Sequence, residues 1–384
     1  MLPVLSQDEV LRYSRHLLIP EVGLEGQRKL RASSVLIVGT GGLGSPVSLY
    51  LAAAGIGRIG LVDFDVVESS NLQRQIIHGT QRVGQPKVES ARQRLLDLNP
   101  YIQVEAYNEI FTSENAERLA RSYDLIVDGT DNFPTRYLIN DLCVLTGKPY
   151  VYGSIFRFEG QISVFDARRG PCYRCLFPEP PPPGLAPTCA EGGVFGVLPG
   201  TVGTIQATEV IKLLLGIGEP LVGKLLLYDA LDMSFHNVQL RKNPKCKICG
   251  PQPEIDHLID YEQFCGVPAK NHAQDLAGGG RDITPAQLME RLRRGDPLKL
   301  VDVRDPVEKQ VSALPEAISL PVERLTTEFE QLNPEDEIVL FCRTGVRSTR
   351  AFHQLWEAGF KNIYNLRGGI NAWARDIDPT MYQY

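Results

Sequence analysis

The run Val35-Leu36-Ile37-Val38-Gly39-Thr40-Gly41-Gly42-Leu43-Gly44 decides the fold. Four apolar residues enter a glycine-rich turn, and a second apolar run, Ile59-Gly60-Leu61-Val62, leads to Asp63 and Asp65. The pattern reads as strand, tight turn, helix and strand. Glycines let the backbone turn and approach a phosphate, while the first free N–H groups of the helix supply positive potential. Asp63 stands where such a unit places the acid that takes ribose hydroxyls, roughly 20 residues on. The stretch predicts a nucleotide site, and taken alone it points to a nicotinamide or flavin dehydrogenase.

The surrounding chain sets bounds. At 384 residues it exceeds one ordinary core, so two domains are expected. A composition of 43% hydrophobic and 22% charged residues fits globular domains. No window approaches the roughly 20 apolar residues that span a bilayer, and Met1 to Asp8 lacks a basic, apolar leader pattern, so a cytoplasmic address and no membrane partner are expected. The net charge of −6 argues against direct nucleic-acid binding by the whole surface. In a reducing compartment the eight cysteines read as ligands, nucleophiles or core residues.

In chain order, Ser6 to Glu9 is a capping-box pattern opening a helix that runs into Tyr13-Ser14-Arg15-His16. Strands are expected at Ile102 to Tyr107 and Tyr123 to Asp128, the latter ending in Gly129-Thr130-Asp131-Asn132 at a ligand-collecting strand end. Tyr150 to Ser154, Gln161 to Asp166, Lys224 to Tyr228 and Phe235 to Leu240 look like strands without regular intervening helices, which predicts a mixed sheet. Pro178 to Pro187 reads as a surface crossover leading to Cys189, and Thr204 to Leu215 as an apolar helix. Glycine and proline clusters bracket a linker over residues 251–282. The division is therefore residues 1–250, linker, and a smaller α/β domain over residues 283–384.

Two chelating pairs, Cys172-x-x-Cys175 and Cys246-x-x-Cys249, suit tetrahedral zinc with no open position, a structural clip. Arg15, Arg74 and Lys87 are candidate phosphate ligands, with Asp131 as a magnesium ligand. Each alone reads more simply as a solvated charge. Together they matter, because no G-x-x-x-x-G-K-[ST] sequence is present and a triphosphate at the glycine turn needs its charge met from elsewhere. His16 and His78 fall near these segments without metal-ligand spacing. Cys143 reads as core, and Cys265 has no assignable partner.

Arg15, the turn Gly39 to Gly44, Asp63 to Asp65, Asn71 to Gln75, Lys87, Asp128 to Asn132 and the paired C-x-x-C motifs resemble the ubiquitin-activating-like adenylyltransferases of the MoeB/ThiF type. The resemblance implies a Rossmann-like domain binding ATP and Mg2+ through Gly39, Gly41, Gly42, Gly44, Asp63, Asp65, Asn71, Arg74, Gln75, Lys87, Asp131 and Asn132. It also implies a homodimer in which Arg15 reaches the partner subunit's ATP. The implied substrate is the C-terminal Gly-Gly of a small ubiquitin-fold sulfur carrier of the MoaD, ThiS or CysO kind, activated as an acyl adenylate. Cys189 matches a mobile-loop cysteine that serves some relatives as a second nucleophile.

Cys342 follows Ile338 to Phe341 and opens Cys342-Arg343-Thr344-Gly345-Val346-Arg347, with a helix directly after. Loop amides, a helix N-terminus and guanidinium groups there favour a thiolate. A cysteine phosphatase would carry its arginine at the sixth position after the cysteine, whereas here it falls at the fifth. With Leu300 to Arg304 and Gly368 to Trp373, this region resembles a rhodanese domain, which implies a persulfide on Cys342. Pro306 to Gln310 departs from the usual pattern and leaves the donor-docking surface open. The fusion resembles MoeZ-type adenylyltransferase/sulfurtransferases, so the expected product is a carrier thiocarboxylate, with sulfur from a cysteine desulfurase or thiosulfate, for molybdopterin, thiamine, cysteine or tRNA thiolation. The alternatives are an NAD(P)-dependent oxidoreductase and a non-catalytic zinc-stapled adaptor.

Overall fold

In the computed structural model, which describes residues 2–181, 193–266 and 281–384, the glycine turn joins the central strand of an eight-stranded sheet. The strands are β1 (Ser34–Val38), β2 (Arg58–Val62), β3 (Gln103–Tyr107), β4 (Leu125–Asp128), β5 (Tyr150–Phe156), β6 (Glu159–Phe165), β7 (Lys224–Asp229) and β8 (Ser234–Gln239). Their order is β3-β2-β1-β4-β5-β6-β7-β8. The first five are mutually parallel and the rest antiparallel, so the sheet is mixed, as the strand-rich second half predicts. Every residue of β1 and β4 is buried, because apolar clusters cover both faces. From β1 the chain moves to β2 on one side and returns to β4 on the other. The crevice at this reversal lies at the strands' carboxyl ends, where open α/β sheets take their ligands.

The flanking helices include α1 (Gln7–Arg12), α2 (Ser14–Leu17), α3 (Gly23–Ala32), α4 (Gly44–Ala54), α5 (Lys87–Leu98), α6 (Phe133–Thr146) and α7 (Leu198–Leu215). The Ser6–Glu9 capping box forms with both reciprocal hydrogen bonds. Its helix breaks at Tyr13 instead of running through to His16. Tyr13 is buried, and its hydroxyl accepts from Asn99 Nδ2 at the end of α5. Helix α7 begins six residues earlier than its apolar pattern suggests, since Pro199 and Gly203 read as breakers. Pro199 instead occupies the first turn, where its missing N–H costs nothing. Gly203 permits a close crossing over α4: a Cβ there would lie 2.5 Å from Pro46 Cγ.

After β8, the stretch from Leu258 to Cys265 packs into the same apolar cluster as Tyr137 and Tyr173, and Tyr261 OH donates to Asp141. Residues 281–384 form a separate unit with a five-stranded parallel sheet ordered β11-β10-β12-β13-β9. Its strands are β9 (Asp282–Ile283), β10 (Leu298–Asp302), β11 (Ile318–Ser319), β12 (Glu337–Phe341) and β13 (Ile363–Leu366). Helices α8 (Pro285–Arg294), α9 (Val346–Glu357) and α10 (Gly369–Asp376) accompany them. Cys342 thus leaves the central strand. Among the described residues, no helix is long and apolar enough to cross a membrane.

Candidate active sites

Three glycines make the crevice of the first unit possible. A Cβ on Gly39, whose φ is +91°, would lie 2.7 Å from Gly129 O; one on Gly129 would meet Gly39 O at 2.4 Å; one on Gly44 would meet Gly39 O at 2.0 Å. The ends of β1 and β4 and the first turn of α4 therefore touch through backbone alone. Gly41 and Gly42 differ: their nearest neighbours would be Gln75 Nε2 at 3.6 Å and Pro199 Cβ at 3.4 Å. Packing does not require them to be glycine, and the room they leave suits a ligand lying against the turn.

The turn is braced by side chains. Thr40 donates its N–H and its hydroxyl to one oxygen of Asp63, at 2.8 and 2.9 Å, and Asp65 N–H donates to the other at 3.0 Å. Asp63, expected from sequence only as a ribose acceptor, also holds the turn's shape. His78, not among the sequence candidates, binds from beneath. It is buried and donates Nε2–H to Thr40 O at 3.2 Å, while Nδ1 accepts from Ser90 Oγ at 2.9 Å. Burial pushes its pKa down, so the ring is neutral at pH 7.

Around this turn the structure assembles most of the sequence candidates. Arg74 approaches Gly42 and donates to Ser70 O at 3.2 Å. Gln75 is buried beside Gly41 with its Oε1 unpartnered, and Asn71 Oδ1 accepts Glu68 N–H at 3.1 Å. Lys87 is buried and pairs with the half-exposed Asp65 at 2.8 Å. Asp131 is exposed just past β4, and Asn132 caps α6 by accepting Thr135 N–H. Asp128 is fully buried, accepting from Thr130 and Tyr150, with Arg136 at 3.5 Å. Burial pushes its pKa up, and the Arg136 guanidinium opposes this. A buried cation, Lys87, and room above Gly41 and Gly42 fit a polyanionic nucleotide, and the unpaired Gln75 oxygen suits a donor such as a ribose hydroxyl or a base N–H.

Arg15 is not brought there. Tyr13 packs against Gly55, the C-cap of α4, at 2.6 Å from a Cβ built on that glycine. Helix α4 has 11 residues, so this end lies about 16 Å from the turn. Cys189 lies outside the described residues. The chain after it touches the site where Gly196 abuts Gln73 O.

The two C-x-x-C pairs do meet. All four sulfurs lie within 4.8 Å of one another, with Cys172 to Cys175 at 3.9 Å, Cys172 to Cys246 at 3.6 Å and Cys175 to Cys249 at 3.4 Å. Tetrahedral zinc, with Zn–S near 2.3 Å, needs edges of about 3.8 Å. The donor set could therefore hold zinc. Arg174, between the first pair, makes a buried bidentate contact with Asp141 of α6 at 2.8 and 2.7 Å.

In the second unit, Cys342 is buried, and its Sγ accepts Gly345 N–H at 3.1 Å and Ser348 Oγ–H at 3.4 Å. Gly345, at φ +101°, turns the loop into α9. The loop's backbone is held from below: Ile370 N–H donates to Cys342 O and Asn371 N–H to Arg343 O. Gly369 permits this, since a Cβ there would lie 2.4 Å from Cys342 O. Arg347 is paired in a bidentate contact with Glu308 at 2.6 and 2.8 Å. Thr344 and Val346 face solvent.

Residues 13–248 match the ThiF family and residues 284–376 the rhodanese-like domain. The chain belongs to the ThiF family. This ThiF-family protein is 51% identical over 386 residues to the probable adenylyltransferase/sulfurtransferase MoeZ of Mycobacterium tuberculosis, covering 99% of this chain and 96% of that one. It is 55% identical to the sulfur carrier protein adenylyltransferase of Thermus thermophilus over 68% of this chain and 98% of that one. Among solved structures, E. coli MccB with ATP matches at 26% identity and a TM-score of 0.55, covering 62% of this chain and 73% of that one. The ThiF-family protein is an adenylyltransferase and sulfurtransferase, not the nicotinamide-dependent oxidoreductase that its glycine turn alone allows.

Proposed function

We propose that residues 1–250 adenylate the C-terminal Gly-Gly carboxylate of a small ubiquitin-fold sulfur carrier, and that Cys342, in residues 283–384 beyond a linker, supplies the sulfur. The observation that carries this reading is the pairing in one chain of a polyanion-ready glycine turn with a cysteine held by a tight amide loop. The Thermus relative's name, sulfur carrier protein adenylyltransferase, supports the substrate class.

A carboxylate already ionised at neutral pH needs no base. Its oxygen attacks the α-phosphorus of ATP, pyrophosphate leaves and an acyl adenylate forms. Gly39, Gly41, Gly42 and Gly44 let the phosphates approach backbone amides, with Asn71, Gln75 and Asn132 along the rim and Asp63 and Asp65 beside the ribose. Arg74 and Lys87 meet the charge that builds on the departing pyrophosphate. Asp131, free at the end of β4, would hold Mg2+, which supplies further charge neutralisation. Cys172, Cys175, Cys246 and Cys249 would hold Zn2+ as a structural clip.

The outer sulfur of the Cys342 persulfide then attacks the acyl carbon, AMP leaves, and an acyl disulfide forms. A second thiol, Cys189 or an external thiol reductant, attacks the Cys342 sulfur and releases the thiocarboxylate. The persulfide comes from a cysteine desulfurase or thiosulfate, in the cytoplasm. ATP–pyrophosphate exchange with Gly-Gly-ended carriers tests the first half. Exchange is expected with wild type and reduced about 100-fold or more in Asp131→Ala. Wild-type exchange in that variant removes the magnesium assignment, and no exchange with any carrier removes the substrate class.

Homodimerisation would give Arg15 a role: its own turn is out of reach, and in the homodimer implied by the family it would meet the partner subunit's ATP. Exposed Leu11, Leu18, Ile19 and Leu24 on the N-terminal segments suit a covered face. The expected result is complementation: Arg15→Ala and Lys87→Ala are each inactive in exchange, but co-refolded or co-expressed they recover about a quarter of wild-type activity through mixed dimers with one intact site. A mixture as inactive as its parents contradicts the shared site.

A further inference from the structure

The structure assigns a part in sulfur transfer to Tyr384: we propose that it is a positioning residue whose hydroxyl holds Glu308 in the bidentate pair that fixes Arg347, at the far end of the Cys342 loop. The proposal rests on the reading of Cys342 as the persulfide-bearing nucleophile.

The Arg347–Glu308 pair is largely covered, with side-chain exposures of 12% and 14%. A covered ion pair holds its geometry only when its remaining lone pairs and protons are also met. Glu308 Oε2 takes Asp305 N–H at 3.1 Å, and Oε1 takes Tyr384 OH at 2.8 Å. Burial opposes its charge, but Arg347 and then Tyr384 hold the Glu308 carboxyl below its ordinary pKa.

The Tyr384 oxygen accepts in turn from Arg304 Nη1 at 2.6 Å. Arg304 is fully buried and gripped by Asp302 of β10 at 2.8 and 2.7 Å, and by Ser312 O. Burial, reinforced by the neighbouring carboxylate, pushes the Tyr384 phenol up to about 12, so it remains a donor through neutral pH. The result is a continuous series from Asp302 through Arg304, Tyr384 and Glu308 to Arg347. Strand β10 lies beside β12, which ends at Phe341, immediately before Cys342. One end of the loop is thereby referenced to β12 through the backbone, and the other to β10 through Tyr384.

Tyr384 is itself placed by the element that clamps the loop. Asn371 Nδ2 donates to its carbonyl at 2.8 Å, and its N–H donates to Asn371 Oδ1 at 3.4 Å, while the Asn371 N–H holds Arg343 O. Its ring lies 5.8 Å from the Arg343 guanidinium. A tyrosine so fixed lies near one flank of the loop at Arg343 and is linked to the other through Glu308, and phenylalanine would keep the ring while losing the link.

The test uses the full chain with thiosulfate as donor and cyanide as acceptor. Cys342 thiolate attacks the outer sulfur of thiosulfate and sulfite leaves with the electron pair. Cyanide then takes the terminal sulfur as thiocyanate and restores the thiolate. Tyr384→Phe is expected to lower kcat roughly ten-fold with KM within about two-fold, with ATP–pyrophosphate exchange unchanged and the unit still folded at the assay temperature, its melting temperature lowered by the loss of a partner for the buried Arg304. Glu308→Gln should lower kcat at least as far. Because the hydroxyl acts through Glu308, the double variant should be no slower than Glu308→Gln alone. Wild-type kcat in Tyr384→Phe, or losses that multiply in the double variant, overturn the proposal. Turnover retained in Cys342→Ser instead overturns the nucleophile assignment and the proposal with it; a dead Cys342→Ser beside a normal Tyr384→Phe sinks Tyr384 alone.

Discussion

Cys342→Ala is expected to abolish sulfur transfer, by at least about 1,000-fold, while ATP–pyrophosphate exchange stays within about two-fold of wild type. In the proposed mechanism the two halves separate, because exchange there needs only the carrier carboxylate, ATP and the glycine-turn residues. The thiol enters after the adenylate exists. Alanine also leaves the Gly345 N–H without the sulfur it now approaches, while the Ser348 hydroxyl keeps Gly345 O as its acceptor. An unpartnered buried donor costs about 1–3 kcal/mol, so Cys342→Ala also lowers the stability of this unit. Cys342→Ser keeps an acceptor for both groups and should fold normally with the same loss of transfer. Thiocyanate formation and pyrophosphate exchange, measured on the same preparations, decide the matter. Loss of exchange in either variant would contradict the division of labour.

Gly44→Ala is expected to lower the stability of the first unit by about 3 kcal/mol or more, a fall of roughly 10 °C in Tm. The added methyl would meet Gly39 O at 2.0 Å, backbone against backbone, so no rotamer change can relieve it. Gly129→Ala, at 2.4 Å from the same oxygen, should behave alike. Gly41→Ala provides the contrast. Its methyl has 3.6 Å to Gln75, so the fold should survive with Tm within about 2 °C of wild type. The methyl occupies the space given to phosphate, and exchange should fall about 10- to 100-fold. Thermal unfolding and exchange on the three variants separate glycines that serve the close backbone contacts from glycines that serve the ligand. A stable Gly44→Ala protein would require the first turn of α4 to pack on Gly39 more loosely than described.

The central strands were legible because parallel strands buried on both faces need near-continuous Val, Ile and Leu: Ser34–Val38 and Glu337–Phe341 carry that signal. The paired cysteines were legible because chelation fixes spacing. Helix α7 began earlier than its pattern implied, since Gly203 and Pro199 weaken helices unless a neighbour such as α4 crosses closely. The bracing role of His78 and the place of Tyr384 escaped the sequence reading for another reason. Their partners Thr40 and Arg304 lie 38 and 80 residues away in the chain, and no local periodicity marks a hydrogen bond that only the folded backbone brings together. Asp63 was found, but its bracing of Thr40 was not, because spacing identifies a carboxylate and says nothing of which lone pairs the turn already uses.

The cysteine cluster also has a history in time. Cys172 and Cys246 are 74 residues apart, with β7 and β8 between them. At translation rates of about 5–20 residues per second, the first pair is made roughly 4–15 s before the second. During that interval the nascent chain carries half a chelate, two thiols with no sulfur partners for closure, while the antiparallel edge of the sheet is still being synthesised. Closure of this four-sulfur donor set therefore belongs to the last stage of building this unit, after the nucleotide crevice has been laid down.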